Sequence, residues 1–244
     1  KEGQEDDLLR WIAGAGAFSV MKKSRLMCWG GAYGANMPYT RSDPDFLEAH
    51  LVSEVMSEQE VVLTDRAERI LADEPQRTRE FIRWAETKGL KINYCDTMCT
   101  QDSVNRQVAL YLAARDRLLE LEEENIRGVS IKCHFELSTT NWGCTACMLP
   151  AFLPFPVGPD GSQRVVPVAC EGDLNGLVSL LILHAVNPDV PPLFGDFVEY
   201  KKDYVLLRNC GSSSVYWAGA SDDPAVSFPR TSFLSNIHGK TGAA

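Results

Sequence analysis

Residues 165–196 read VVPVACEGDLNGLVSLLILHAVNPDVPPLFGD, and the pattern of this stretch decides the fold class. A short apolar run, 165–170, gives way to Glu171 and Asp173. Leu174, Leu177, Leu180, Leu181 and His184 then recur at helical spacing, which predicts a helix over about 172–187 that stops at Asn187-Pro188. A second short strand is expected to end at Phe194, just before Gly195-Asp196. Strand, helix and strand in so short a span describe a right-handed βαβ unit with parallel strands. Residues just past the carboxyl ends of such strands face a common crevice. The carboxylates of Glu171 and Asp196 are therefore expected to converge.

Upstream, 129–133 reads as another strand, preceded by the longest helical pattern, 101–124, with Val104, Val108, Leu112, Arg115 and Leu119 on one stripe. Earlier segments predict a helix over 5–20, a strand over 25–29, a helix over 44–51, a strand around 60–63, and helices over 65–73 and 75–88. Downstream of 197, short strand-like pieces at 204–208 and 215–217 are separated by Gly, Ser, Asp and Pro. The expected fold is α/β, an open and mostly parallel sheet flanked by helices. The start of an antiparallel β domain should follow, with units 1–197 and 198–244.

A chain of 244 residues with 45% hydrophobic and 23% charged side chains has the composition of a folded protein. Its net charge of −9, with no cluster of Lys and Arg, argues against nucleic acid as a partner. No apolar run reaches the roughly 20 residues of a membrane span, and the first ten residues are charged, so a cytoplasmic protein that does not enter a membrane is expected. The cysteines at 28, 133, 170 and 210 fall in expected elements, which favours reduced, buried thiols over disulfides.

The segment from Ala169 to Gly176 (ACEGDLNG), together with Leu193-Phe194-Gly195-Asp196 and Leu207-Arg208-Asn209-Cys210-Gly211, resembles the signature region of the L-fucose isomerase and L-arabinose isomerase family. Ala114-Arg115-Asp116, Lys132 to Glu136 and the loop from Gly30 to Asp43 extend the resemblance over much of 25–211. It implies a metal-dependent ketol isomerase acting on a monosaccharide. Glu171 and Asp196 would be metal ligands and the proton-transfer pair, and Lys132 and Glu136 would face the sugar. Manganese is the implied metal, with magnesium or cobalt as alternatives, and a homo-oligomer is the implied assembly. The chemistry is consistent with hard oxygen donors: a cation that chelates both substrate oxygens stabilises the enediolate, while a carboxylate moves the proton between carbons. The chain departs from the family in two ways. Asn209 stands where arabinose-type relatives have a histidine, and the family is longer, with an N-terminal α/β domain and more of the C-terminal β domain; His238, the only histidine after Asp196, is the remaining candidate for the histidine ligand that the family draws from its C-terminal region.

Other features have plainer readings. Asp173 should cap the helix that follows it. Cys144 and Cys147 form a CxxC, and Cys95 and Cys99 a second close pair; both are expected to pack in the core. Gly30-Gly31-Ala32-Tyr33-Gly34 is expected to be a tight turn rather than a phosphate cradle. Two other functions are compatible with these residues, a non-catalytic sugar-binding protein and a thiol oxidoreductase.

Overall fold

The computed structural model describes residues 2–32, 40–97, 99–133, 136–209, 212–235 and 242–243. Helix α1 (Glu2–Lys23) leads into β1 (Arg25–Trp29), then α2 (Pro44–His50) and β2 (Glu54–Glu58). Two amphipathic helices, α3 (Val61–Asp73) and α4 (Pro75–Thr87), precede the short β3 (Lys91–Ile92) and the long α5 (Gln101–Glu120). After β4 (Ile126–Ile131) come α6 (Met148–Phe152), the hairpin β5 (Val157–Gly158) and β6 (Gly161–Ser162), then β7 (Val168–Ala169) and α7 (Leu174–Val186). The chain continues through β8 (Asp196–Tyr200), β9 (Val205–Arg208), α8 (Tyr216–Gly219), α9 (Pro224–Ser227), β10 (Ser232–Ser235) and β11 (Gly242–Ala243).

The central sheet has the order β2-β1-β4-β7 and is parallel throughout. Strand β1 is buried on both faces, as a central parallel strand must be, and its alternation divides the core in two. Leu26 and Cys28 point to one side, where Met21 of α1, Leu47 of α2 and Leu174, Leu177 and Leu181 of α7 cover them. Met27 and Trp29 point to the other and meet Leu63 and Ile70 of α3, Phe81 of α4 and Val104, Val108 and Tyr111 of α5. Helices on both faces of a parallel sheet are the expected architecture, and the apolar periodicities are what put them there. Thr100 starts α5, its side chain accepting a hydrogen bond from Ser103 N at 3.0 Å. Phe152 of α6 stacks edge-on against Phe81 at 5.1 Å.

Three local expectations need correction. The strand expected near 60 lies earlier, at Glu54–Glu58. It is an edge strand with no buried residue, so its apolar signal is weaker than that of Val61 and Leu63, which open a helix carrying Leu63, Ala67 and Ile70 inward. The strand expected over 215–217 is helical in α8, because Val215 N donates to Ala151 O and Val215 is buried against α6. Most consequential, the strand after α7 does not join the central sheet. Residues 191–195 carry no regular structure, and β8 pairs antiparallel with β9 instead. The sheet edge next to α7's own strand is β7, two residues long, whereas β9 lies one short turn away; the local pairing closes a much smaller loop. The domain boundary expected at 197 falls inside β8. Beyond it Val215, Phe228 and Phe233 belong to the same core as α4 and α5, and β10 runs parallel to β3.

Candidate active site at the carboxyl end of the sheet

The chain leaves β1 for the β2 side and later returns to place β4 on the opposite side, so the strand order reverses between β1 and β4. Beyond the carboxyl ends of two such strands the connections diverge and leave a crevice. Backbone hydrogen bonds tie the turns there together. Gly30 N donates to Glu58 O at 2.8 Å, Lys132 N to Trp29 O at 3.1 Å, and Gly172 N to Ile131 O at 3.0 Å. Gly30 and Gly31 have φ of +89° and +106°, as a tight turn after β1 requires.

Three charged side chains meet at this turn. Lys132 Nζ lies 3.3 Å from Glu136 Oε1, and Glu60 approaches Gly30 so closely that a Cβ there would sit 2.7 Å from Glu60 Oε1. Glu60 Oε1 and Glu136 Oε2 are buried without a hydrogen-bond partner among the described residues. Burial, reinforced by the like charge of Glu136 and only partly offset by Lys132, pushes the Glu60 carboxyl up to about 8. Near neutrality Glu60 can therefore donate a hydrogen bond where Glu136 accepts one, with an ammonium beside them. Glu60 and Glu136 line a cavity of about 690 Å³ together with Trp142, whose buried indole Nε1 likewise has no partner among the described residues. A second charged set braces the wall: Glu58 accepts from Trp29 Nε1 at 3.1 Å and pairs with Arg117, which holds the Glu58 carboxyl below its ordinary range.

The acids after β7 form a separate group. Glu171 takes a left-handed backbone, φ +62°, in the turn between β7 and α7. Asp173 is the cap expected of it, accepting from Gly176 N at 2.8 Å. Burial raises the Asp173 carboxyl, and the charge of Asp196 raises it further. Asp196, raised by its own burial and relieved only by Arg208, faces Asp173 across a cavity of about 560 Å³ that Phe194 and Gly176 also line. The structure thus brings Lys132 to Glu136, and Asp196 to Asp173, with Glu171 in the turn between β7 and that cap. Among the described residues no three Asp, Glu, His or Cys side chains gather as a ready metal cage. His134, Cys210 and His238 lie outside the described residues, and Asn209 Nδ2 donates to Ser212 O, closing a turn.

Cysteine chemistry finds little support. Cys28 and Cys144 are buried and pushed up to about 12, far from the thiolate a nucleophile needs. Cys147 packs against the Thr145 hydroxyl at 3.0 Å, and Cys99 is buried, but Cys95 is exposed rather than in the core as expected. Glu60 and Trp142 escaped the sequence reading. Glu60 stands before an apolar triplet that looks like a strand, and Trp142 stands in a polar loop; only the return of residues 136–142 over the end of the sheet unites them. Comparison of the chain with protein-family models and with curated proteins finds no match, so the reading of this crevice rests on its own residues.

Proposed function

We propose that the chain is a metal-dependent ketol isomerase that interconverts an aldose and a ketose through an enediol. The observation that carries the reading is the crevice at the reversal of strand order, where the protonatable Glu60, Lys132 and Glu136 stand with unsatisfied oxygens. Such a set suits a polyol: a neutral carboxyl donates to one hydroxyl, a carboxylate accepts from the next, and the ammonium favours negative charge building on an enediolate oxygen. Glu171 and Asp196 take the proton-transfer role, each a carboxylate able to accept and return the proton that moves between neighbouring carbons.

A divalent cation, manganese first and magnesium or cobalt next, would be held by the carboxylates of Glu171 and Asp196 and would supply Lewis acidity toward the substrate oxygens. The donor set fits such an ion. Glu171 and Asp196 offer only oxygen, and hard cations of this kind commonly keep water and substrate oxygens beside one or two protein carboxylates.

The test is conversion of a panel of free aldopentoses and aldohexoses with added manganese, read as ketose formed. Turnover should disappear with EDTA, and Glu171→Gln and Asp196→Asn should each lower it by about a hundredfold or more. Sugar binding that persists in EDTA without turnover would leave a binding protein, and undiminished turnover in both variants would remove these residues from the chemistry.

A further inference from the structure

A third cavity, of about 280 Å³, lies at the opposite end of the sheet, between the later turns of α5 and the β5–β6 hairpin. Leu118, Leu153 and Val166 give it apolar walls; Arg115, Arg164 and Ser162 supply polar groups, and the carboxylates of Glu122 and Asp160 also line it. Its neighbours fix its place. Arg127 is the second residue of β4 and Val166 precedes β7, so the cavity sits at the amino ends of strands whose carboxyl ends hold Lys132 and Glu171. Six residues of β4 separate the two sites, roughly 20 Å of extended chain.

The cavity is preformed. Gln163 pins the hairpin, donating through Nε2 to Phe152 O at 2.9 Å and Phe155 O at 2.7 Å and accepting from Tyr111 OH at 3.1 Å. Arg115 is committed to Asp160 across the hairpin. Arg164 is different: among the described residues it makes neither a hydrogen bond nor an ion pair, and the charge nearest in effect is another guanidinium, Arg127, with Glu122 opposing. Arg164 is exposed as a residue, and desolvation of its guanidinium together with the charge of Arg127 lowers its pKa, which an anion would raise again.

We propose that this cavity is a binding site for a small organic carboxylate, the anionic group paired with Arg164 and an apolar body lying on Leu118, Leu153 and Val166. An unengaged guanidinium matches a carboxylate through two parallel hydrogen bonds, and Leu118, Leu153 and Val166 offer an apolar body a surface of its own kind. The volume admits about one ring and its acid group rather than a nucleotide. The site is independent of the isomerase reading, being remote from every residue on which that reading relies.

Benzoate is the probe, titrated by calorimetry and followed by thermal shift, with benzyl alcohol for the body alone and acetate and inorganic phosphate for charge alone. Benzoate should bind more tightly than any of the three. Arg164→Gln should weaken it about ten- to a hundredfold, the loss of a charge-assisted pair, and should leave the unliganded melting temperature unchanged because Arg164 holds nothing in the protein. Lys132→Met, in the other crevice, should leave benzoate binding intact. Equal binding of phosphate, full affinity in the Arg164 variant, or loss of affinity in the Lys132 variant would each overturn the assignment, as would no binding at millimolar benzoate.

Discussion

Gly30 shows how much of the crevice depends on a side chain that is not there. Its φ of +89° strains any other residue, and a Cβ would meet Glu60 Oε1 at 2.7 Å and Lys132 Cβ at 3.0 Å. Gly30→Ala should therefore cost about 1–3 kcal/mol, measured by urea unfolding, and should displace Glu60 from its place beside Lys132 and Glu136. Glu60 itself makes stability depend on pH in a direction opposite to the usual salt-bridged acid. Its pKa rises from about 4.5 in the unfolded chain to about 8 in the fold, so between these values the native state holds a proton that the unfolded state releases. Stability should thus fall as pH climbs from about 4.5 to about 8 and level off above it, by roughly a few kcal/mol in all. Glu60→Gln keeps a neutral group in place and should flatten that slope. A Gln variant with the parent's pH dependence would mean that the carboxyl is ionised and solvated in the fold. Neither effect could be read from sequence, where Glu60 is one more acid among many; it becomes unusual only through Gly30 and Glu136, which reach it from two other loops.

Among the elements, α7 was the most legible. Its leucine spacing placed the helix within two residues of Leu174–Val186, and Leu177, Leu180 and Leu181 are buried as expected. Its cap was legible too, and it offers a discriminating pair of variants. Asp173→Ala should lose about 1 kcal/mol with the bond to Gly176 N, whereas Asp173→Asn retains that bond, relieves the repulsion from Asp196 and should melt no lower than the parent. Thermal unfolding of the two variants decides it, and equal losses would mean that the negative charge at the start of α7, rather than the cap bond, is what matters there. What followed α7 was not legible. A short apolar segment carries its propensity but not its partner, and the pairing of β8 with β9 goes with the shortness of β7, which β-rich 165–170 concealed: the strand is confined to Val168–Ala169, while Val166 N turns away to Leu153 O. Glu171 and Asp196 consequently do not sit at the ends of two neighbouring parallel strands: the first lies in a left-handed turn after β7, and the second opens β8 and lines a cavity with Asp173.

At the scale of the molecule, the surface poses a problem that the core does not. No described helix is long and apolar enough to cross a membrane. Yet α1 exposes Leu8, Leu9, Ile12 and Trp11, the last at 71%, and α7, which packs beside it, exposes Leu183 and Val186. The β8–β9 hairpin adds Phe197, 66% exposed, with Tyr200 and Leu207. Patches of this kind on an isolated chain are ordinarily covered by another protein surface, and a second copy is always present at the chain's own concentration. The chain should therefore self-associate at micromolar concentration, seen as a mass above 27.0 kDa in light scattering. Charge should not prevent it, because −9 spread over this surface is screened within about 10 Å at ordinary salt. Leu9→Glu combined with Trp11→Glu should shift the population to monomer while leaving the melting temperature of the dilute protein nearly unchanged, since neither side chain is buried in the monomer. If that pair has no effect while Phe197→Lys produces monomer, the hairpin is the contact and α1 is not. A parent chain that stays monomeric at every concentration up to precipitation would show that its exposed apolar residues are too dispersed to act as one face.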